Sequence, residues 1–320
     1  MKKLFKYSAA LFIGIQAFNV YAQQGFSVFG DYIYWNASEQ TAGVWANAIG
    51  LPITTHTVTY GAPNIKFNWA SGFSGGIGYS FPNGWDTKLY WTHLPTTSNT
   101  NYTATGSIFI TPEFFSGFLG GDTFTSANLN WKLAYNTVDF NISHKINLAK
   151  TLTFSPSIGV KSATINQTIR ENLHATLFSI PIFNATEVVT NNYSGIGPSL
   201  GLDGKWNFYN DFSLVGKFST ALMWGRWNVK DTYSRPSSLG GLHPATTIVT
   251  SMNNSKLGTA VFEYFLGLEW AYHSKYDVNF LLGYDLQSWP TQLRAPTFQL
   301  LPVHGDLTLQ GVTCGISLSL

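Results

Sequence analysis

The sequence predicts an all-β fold, a transmembrane antiparallel up-and-down β-barrel of about 10 strands, within a range of roughly 8 to 12. Three observations predict it. Long stretches alternate large apolar residues with small or polar ones, aromatic residues recur near the ends of those stretches, and the connections between them are alternately long and short. A two-residue period belongs to a strand with two different faces, and no helical stripe fits it.

The N-terminus sets the compartment. Lys2, Lys3 and Lys6 precede an apolar run over 9–20 that ends in Val20-Tyr21-Ala22, the layout of a secretory signal peptide. The run is shorter than the roughly 20 residues that span a bilayer as a helix. Residues 1–22 are therefore expected to be removed, and 23–320 to form one barrel domain exported to the cell outer membrane. Without the three lysines, 15 basic residues face 16 acidic ones, a net charge of −1, so the basic pI of the whole chain points to no nucleic acid. Only 11% of residues are charged and 16% are aromatic, and the usual charged share is about 25%.

The strands follow in order. Over 66–81, Phe67, Trp69, Phe73, Ile77, Tyr79 and Phe81 oppose Lys66, Asn68, Gly72, Ser74, Gly76 and Gly78. Over 129–143 the phase breaks: Leu129, Trp131, Leu133 and Tyr135 are odd, Val138, Phe140 and Ile142 even, and a β-bulge near Asn136 is expected. Alternation resumes over 152–160, 194–208, 212–224, 261–272 and 276–286, and a second slip near Gly311 is expected before Val312, Cys314, Ile316, Leu318 and Leu320. Extended runs at 54–60 and 107–111 leave room for a further hairpin.

A soluble sandwich alternates too, so the faces must be weighed. The polar face is mostly Gly, Ser, Ala and Asn with isolated charges, which suits a crowded lumen. Tyr34 and Trp35, Tyr79 and Phe81, Trp85, Trp91, Trp206, Trp224 and Trp227, Trp270 and Tyr272, and Trp289 are placed to form interfacial girdles. Long segments follow Trp35, Trp91, Ile169, Trp227 and Trp289. Short ones fall at 82–84, 146–150, 209–211 and 273–275, as outer loops and periplasmic turns would.

A Lys or Arg facing lipid at mid-depth costs roughly 2 to 4 kcal/mol, so ionisable groups should turn inward. Lys66, Asp86, Lys88, Lys161, Asp203, Lys205, Lys217, Glu263, Glu269, Asp277 and Asp285 share the polar parity, as does Asp31. They are the expected lumen-lining residues. They either pair across the lumen or tune the passage of small hydrophilic solutes and ions through a narrow pore. The competing expectation is a surface adhesin or structural protein whose loops, carrying Trp45, Phe114, Phe115, Phe118 and Phe124, bind host or envelope components.

The ordered segments Asp31-Tyr32-Ile33-Tyr34-Trp35 with Ala37-Ser38-Glu39, Gly195-Ile196-Gly197-Pro198 with Leu200-Gly201, Gly283-Tyr284-Asp285 before Trp289, and Asp306-Leu307-Thr308-Leu309-Gln310-Gly311 resemble the Legionella-type major outer membrane protein family. The resemblance covers nearly the whole mature chain and implies a pore-forming barrel. Two departures stand out. Members of such a family can be cross-linked through several cysteines, whereas this chain has Cys314 alone, and it ends in Leu320 where outer-membrane barrels usually present an aromatic.

No enzyme is expected. His56, His93, His144, His174, His243, His273 and His304 are scattered without metal-ligand spacing, and no Gly-x-Ser-x-Gly elbow occurs. Neither a cofactor nor a metal is expected. The expected partners are outer-membrane lipid and lipopolysaccharide, the barrel assembly machinery through the C-terminal strand, and a second copy of the chain.

Overall fold

The computed structural model describes residues 25–39, 46–50, 59–61, 65–104, 108–112, 124–177, 180–237, 244–273, 276–295 and 303–320. The expected signal peptide lies outside the described residues. In chain order the strands are β1 (Gly25–Glu39), β2 (Ala46–Gly50), β3 (Thr59–Gly61), β4 (Ala70–Ser80), β5 (Trp85–Thr103), β6 (Ile108–Pro112), β7 (Ser126–His144), β8 (Ile146–Ala149), β9 (Leu152–Leu177), β10 (Ile180–Tyr209), β11 (Phe212–Arg235), β12 (Thr246–His273), β13 (Asp277–Ala295) and β14 (Val303–Ser319).

Ten of them, β1, β4, β5, β7 and β9 to β14, pair antiparallel with their neighbours, and β14 returns to β1 to close a ten-strand barrel. Closure leaves no sheet edge, which is what a strand-built membrane protein requires. The tight turns lie at the end that holds both termini, the periplasmic end. At one of them Gly84 adopts φ +82° and donates to the Phe81 carbonyl at 3.2 Å. Among the described residues, the runs expected at 54–60 and 107–111 add no barrel strand. Their described parts, β3 and β6, flank β2 in a separate three-stranded sheet, tied to the barrel core through buried Ile110 and Phe124.

The strands are far longer than a membrane needs. β9 and β10 run 26 and 30 residues, against the roughly 9 to 11 of a spanning strand. The upper part of each must therefore stand in water, and the side-chain pattern records where that begins. On β9, Ile158 and Val160 point outward, while beyond them Ala163, Ile165, Ile169 and Leu173 point inward and Thr164, Asn166, Thr168 and Arg170 point outward. The pleat is unbroken, and its apolar side has changed over. Where acyl chains surround the barrel the apolar side chains face out, and where water surrounds it they face in.

This exchange replaces both expected slips. β7 pairs with β5 and β9 without a register shift, so there is no bulge at Asn136; Val138 and Phe140 face out and Leu129, Trp131, Leu133 and Tyr135 face in. β14 likewise pairs with β1 without a shift, with Leu307 and Leu309 inside and Val312 and Ile316 outside. Four aromatics expected on the outside are corrected for the same reason. Trp35, Phe67, Trp227 and Trp289 lie above the changeover and are buried inside, whereas Tyr34, Trp69, Trp91, Trp224 and Trp270 remain outside. The long outer loop expected after Ile169 is instead the continuation of the β9–β10 hairpin.

Candidate functional site

The lower lumen is charged. Lys161 is almost wholly buried, with Nζ 2.6 Å from Asp139 Oδ1 and 2.8 Å from Glu263 Oε1. Ser219 Oγ donates to the other Glu263 oxygen at 2.6 Å. Nearer the periplasm, Lys205 Nζ meets Glu269 Oε1 at 2.5 Å, Lys145 meets Asp86 at 3.0 Å, and His273 Nδ1 lies 2.8 Å from Asp277. Asp285 accepts from Thr313 Oγ1. Lys217 stands 5.0 Å over the Phe265 ring and opposite Asp203 in the β10–β11 register. Lys88 sits opposite Gly78 on the inward parity of β5, and Asp31 on that of β1.

Lys66 departs from the group. It belongs to residues 65–69, which are outside the sheet, where Ile65 and Phe67 turn inward and pack, Phe67 against Trp131 with ring centroids 5.5 Å apart. Lys66 therefore points out into water. Expected lumen parity failed here because the phase changes between Phe67 and Trp69.

Below Lys161 and its two carboxylates a polar vestibule of about 360 Å³ is lined by Ser27, Lys145, Lys205, Asn207, Asp277 and Asn279. Above them the bore is filled. Trp131, Trp227 and Trp289 have no exposed surface, and Tyr135, Leu94, Ile165 and Ile169 pack with them.

The filling is organised by β13. Its pairing with β14 shifts between Trp289 and Leu293, and Thr291 takes φ +53°, a conformation that a β-branched residue rarely adopts. Asp306 Oδ1 holds the Thr291 amide at 2.7 Å, and the Pro290 carbonyl accepts from Thr259 Oγ1 at 2.7 Å. The displaced segment reaches across the bore. Gln292 accepts from Gln167 Nε2 at 2.6 Å, and its carbonyl accepts from Trp227 Nε1 at 2.9 Å. Trp131 Nε1 donates to Gln167 Oε1 at 2.8 Å, and Tyr135 OH donates to Gln287 Oε1 at 2.6 Å. This is a plug made from the wall itself.

Further out, beyond the membrane-spanning part, three buried carboxyls gather. Glu171 lies opposite Glu187 across β9 and β10, and Asp231 lies on the adjacent β11. Burial, with mutual repulsion added at Glu187, holds Glu171 and Glu187 well above the usual carboxylate range, and burial pushes Asp231 up to about 6. A nearby cation, Arg235, lies over the Phe183 ring at 5.5 Å and donates to the Pro244 carbonyl.

Sequence reasoning passed over Asp139, Gln167, Tyr135, Gln287 and Gln292 as site residues. One available signal was Pro290 inside a strand pattern, because a proline cannot donate to a ladder and marks an edge or a bulge.

A family model described as Legionella pneumophila major outer membrane protein precursor matches residues 20–320. The chain belongs to this family. Among curated proteins none matches. Solved structures similar to this family member include the outer membrane protease OmpT of Escherichia coli, at 11% identity over 95% of this chain and 99% of that one with a TM-score of 0.48. OprG of Pseudomonas aeruginosa is 10% identical over 80% of this chain and 100% of that one, TM-score 0.30. The toluene transporter TodX of Pseudomonas putida is 8% identical over 93% and 90%, TM-score 0.29. These likenesses are too distant to bear on function. Family and architecture together place this member in the outer membrane.

Proposed function

We propose that this family member is a non-catalytic structural barrel that displays its extracellular strands at the cell surface with its lumen shut, rather than an open diffusion pore. The hydrogen bond from Tyr135 to Gln287 across the bore carries the reading, because the two residues belong to strands on opposite sides of the ring, β7 and β13. Trp131, Trp227 and Trp289 at zero exposure among the described residues support it, because they pack the bore near that level. Proteoliposomes of purified protein should not swell in isotonic arabinose. Swelling at the rate of a general-diffusion porin would overturn the proposal.

One observation favours a second reading, a gated narrow pore. The lower lumen is lined by charge and opens into the vestibule, and the plug is a displaced segment of one strand rather than a separate domain. Passage of small hydrophilic solutes or ions would then require residues 290–292 to withdraw toward the wall. Voltage-dependent conductance steps in planar bilayers, absent from a variant whose plug is locked by a Thr259→Cys/Pro290→Cys cross-link, would support this reading. An absence of steps in both proteins would remove it.

A further inference from the structure

The outer wall above the membrane is sorted by charge. Glu39, Glu171, Glu187 and Asp231 point inward, while Lys132, Arg170, Arg226 and Lys230 are exposed on the outward parity of their strands, and Lys66 is exposed beside them. Asp306 is the one outward carboxylate on this part of the described wall, and it is held by the Thr291 amide. None of the five cations pairs with a described carboxylate. Soluble surfaces intersperse the two signs. A wall that keeps its cations and turns its acids inward is built to meet an anion.

The register brings these cations near one another. Lys132 on β7 is directly opposite Thr97 on β5 and Thr168 on β9, Thr168 is opposite Thr190 on β10, and Thr190 is opposite Lys230 on β11. Arg170 stands two residues further along β9. Neighbouring strands are about 4.8 Å apart and a residue rises about 3.4 Å, so Lys132 and Arg170 share one patch and Lys230 lies three strands away. The same stretch of wall carries a groove of about 420 Å³ lined by Asn68, Trp69, Pro95, Lys132, Asn166 and Thr168. Trp69, which lines the groove, is half exposed and stacks on Tyr34 with centroids 5.3 Å apart.

We propose that this groove takes the phosphorylated hexosamine headgroup of an outer-leaflet glycolipid. The Trp69 ring would lie against the sugar face, Asn68, Asn166 and Thr168 would meet its hydroxyls, and Lys132 with Arg170 would hold phosphate. The position selects this source of phosphate over a free anion. The groove begins at the last outward aromatic of the membrane belt, so a ligand seated in it keeps its acyl chains against Trp91, Val138 and Phe140, which face out just below. The cations also extend upward from Arg226, two residues above Trp224, to Arg170, ten above Val160. That spread matches a thick anionic saccharide layer better than a single row of phospholipid headgroups.

The test uses the full-length folded protein in detergent, with bisphosphorylated lipid A as probe and native mass spectrometry as readout. Wild type should retain lipid A and bind its dephosphorylated form at least about ten-fold more weakly, since each lost charge-assisted contact amounts to about one decade. The Lys132→Gln/Arg170→Gln variant should lose a similar factor, while Lys150→Gln on a periplasmic turn should lose nothing. Heat-modifiable gel migration checks that each variant is folded. Equal retention by wild type and the double variant, or equal binding of the dephosphorylated lipid, would overturn the proposal. Full competition by millimolar inorganic phosphate would assign the site to a free anion and overturn it as well.

Discussion

Tyr135 OH donates to Gln287 Oε1 at 2.6 Å across the full width of the barrel, and the Tyr135 ring packs edge-on against Trp289 with centroids 5.7 Å apart. That bond ties two opposite walls together at one level of the bore. Because both groups are buried, Tyr135→Phe leaves the Gln287 oxygen without its donor, and the cost should be about 1 to 3 kcal/mol. Adding Gln287→Leu removes the stranded acceptor and should recover most of that loss. Urea midpoints of the two variants check this, and a double variant weaker than the single one would contradict it.

Lys161 is bonded to two carboxylates, Asp139 and Glu263. Lys161→Met leaves buried Asp139 and partly buried Glu263 without their cation and should cost about 3 to 5 kcal/mol. Combining it with Asp139→Asn and Glu263→Gln should restore much of the stability. If Lys161→Met alone were neutral in chemical unfolding, water would have to reach that level of the lumen.

The carboxyls at Glu171, Glu187 and Asp231 predict the sign of a pH dependence. Each is raised above its unfolded value, so the folded state binds more protons, and the stability these groups contribute is fully present below about pH 4. It is lost as pH rises from the unfolded toward the folded values, a loss complete near 6 for Asp231. Amide exchange of the β9–β11 region should therefore quicken from acid to neutral pH beyond the intrinsic chemical rate. The Glu171→Gln/Glu187→Gln variant should flatten the dependence. Protection that grew with pH in wild type would contradict the assignment.

Gly195 and Gly225 face each other across β10 and β11, and the Tyr193 ring lies over both. A Cβ at Gly225 would come within 2.3 Å of that ring, and one at Gly195 within 2.1 Å of its hydroxyl. Tyr193 also packs on Trp227 at 4.3 Å. Gly225→Ala must displace the ring and should cost about 1 to 3 kcal/mol, whereas Gly258→Ala, with only a distant carbonyl at 3.9 Å, should cost far less. The two melting temperatures, read by loss of heat-modifiable migration, check this.

Much of the barrel was legible because lipid imposes one rule over the whole membrane belt. Leu266, Tyr264 and Leu268 on β12 and Phe280, Leu282 and Tyr284 on β13 all face out as their parity requires. The rule changes where the surrounding medium changes. A two-residue period states that a strand has two faces and is silent on which one meets water. For that reason Leu129 to Tyr135 read as a slipped outward set, although an unslipped strand that leaves the membrane explains them without a bulge. The plug was hidden for another reason. Gln167, Gln287 and Gln292 meet across the bore from strands distant in sequence, and only the closed ring brings them together. The lumen pairs Lys161–Glu263 and Lys205–Glu269 were legible as a parity class but not as partners.

The account rests most heavily on the exchange of faces along single strands, and spin-label accessibility along β9 tests it directly in liposomes with Cys314→Ser as background. Labels at Ile158 and Val160 should relax with oxygen, labels at Thr164, Asn166 and Thr168 with a water-soluble nickel complex, and labels at Ile165 and Ile169 with neither. Oxygen access at Ile165 and Ile169, continuing an apolar outer face toward the extracellular end, would contradict it.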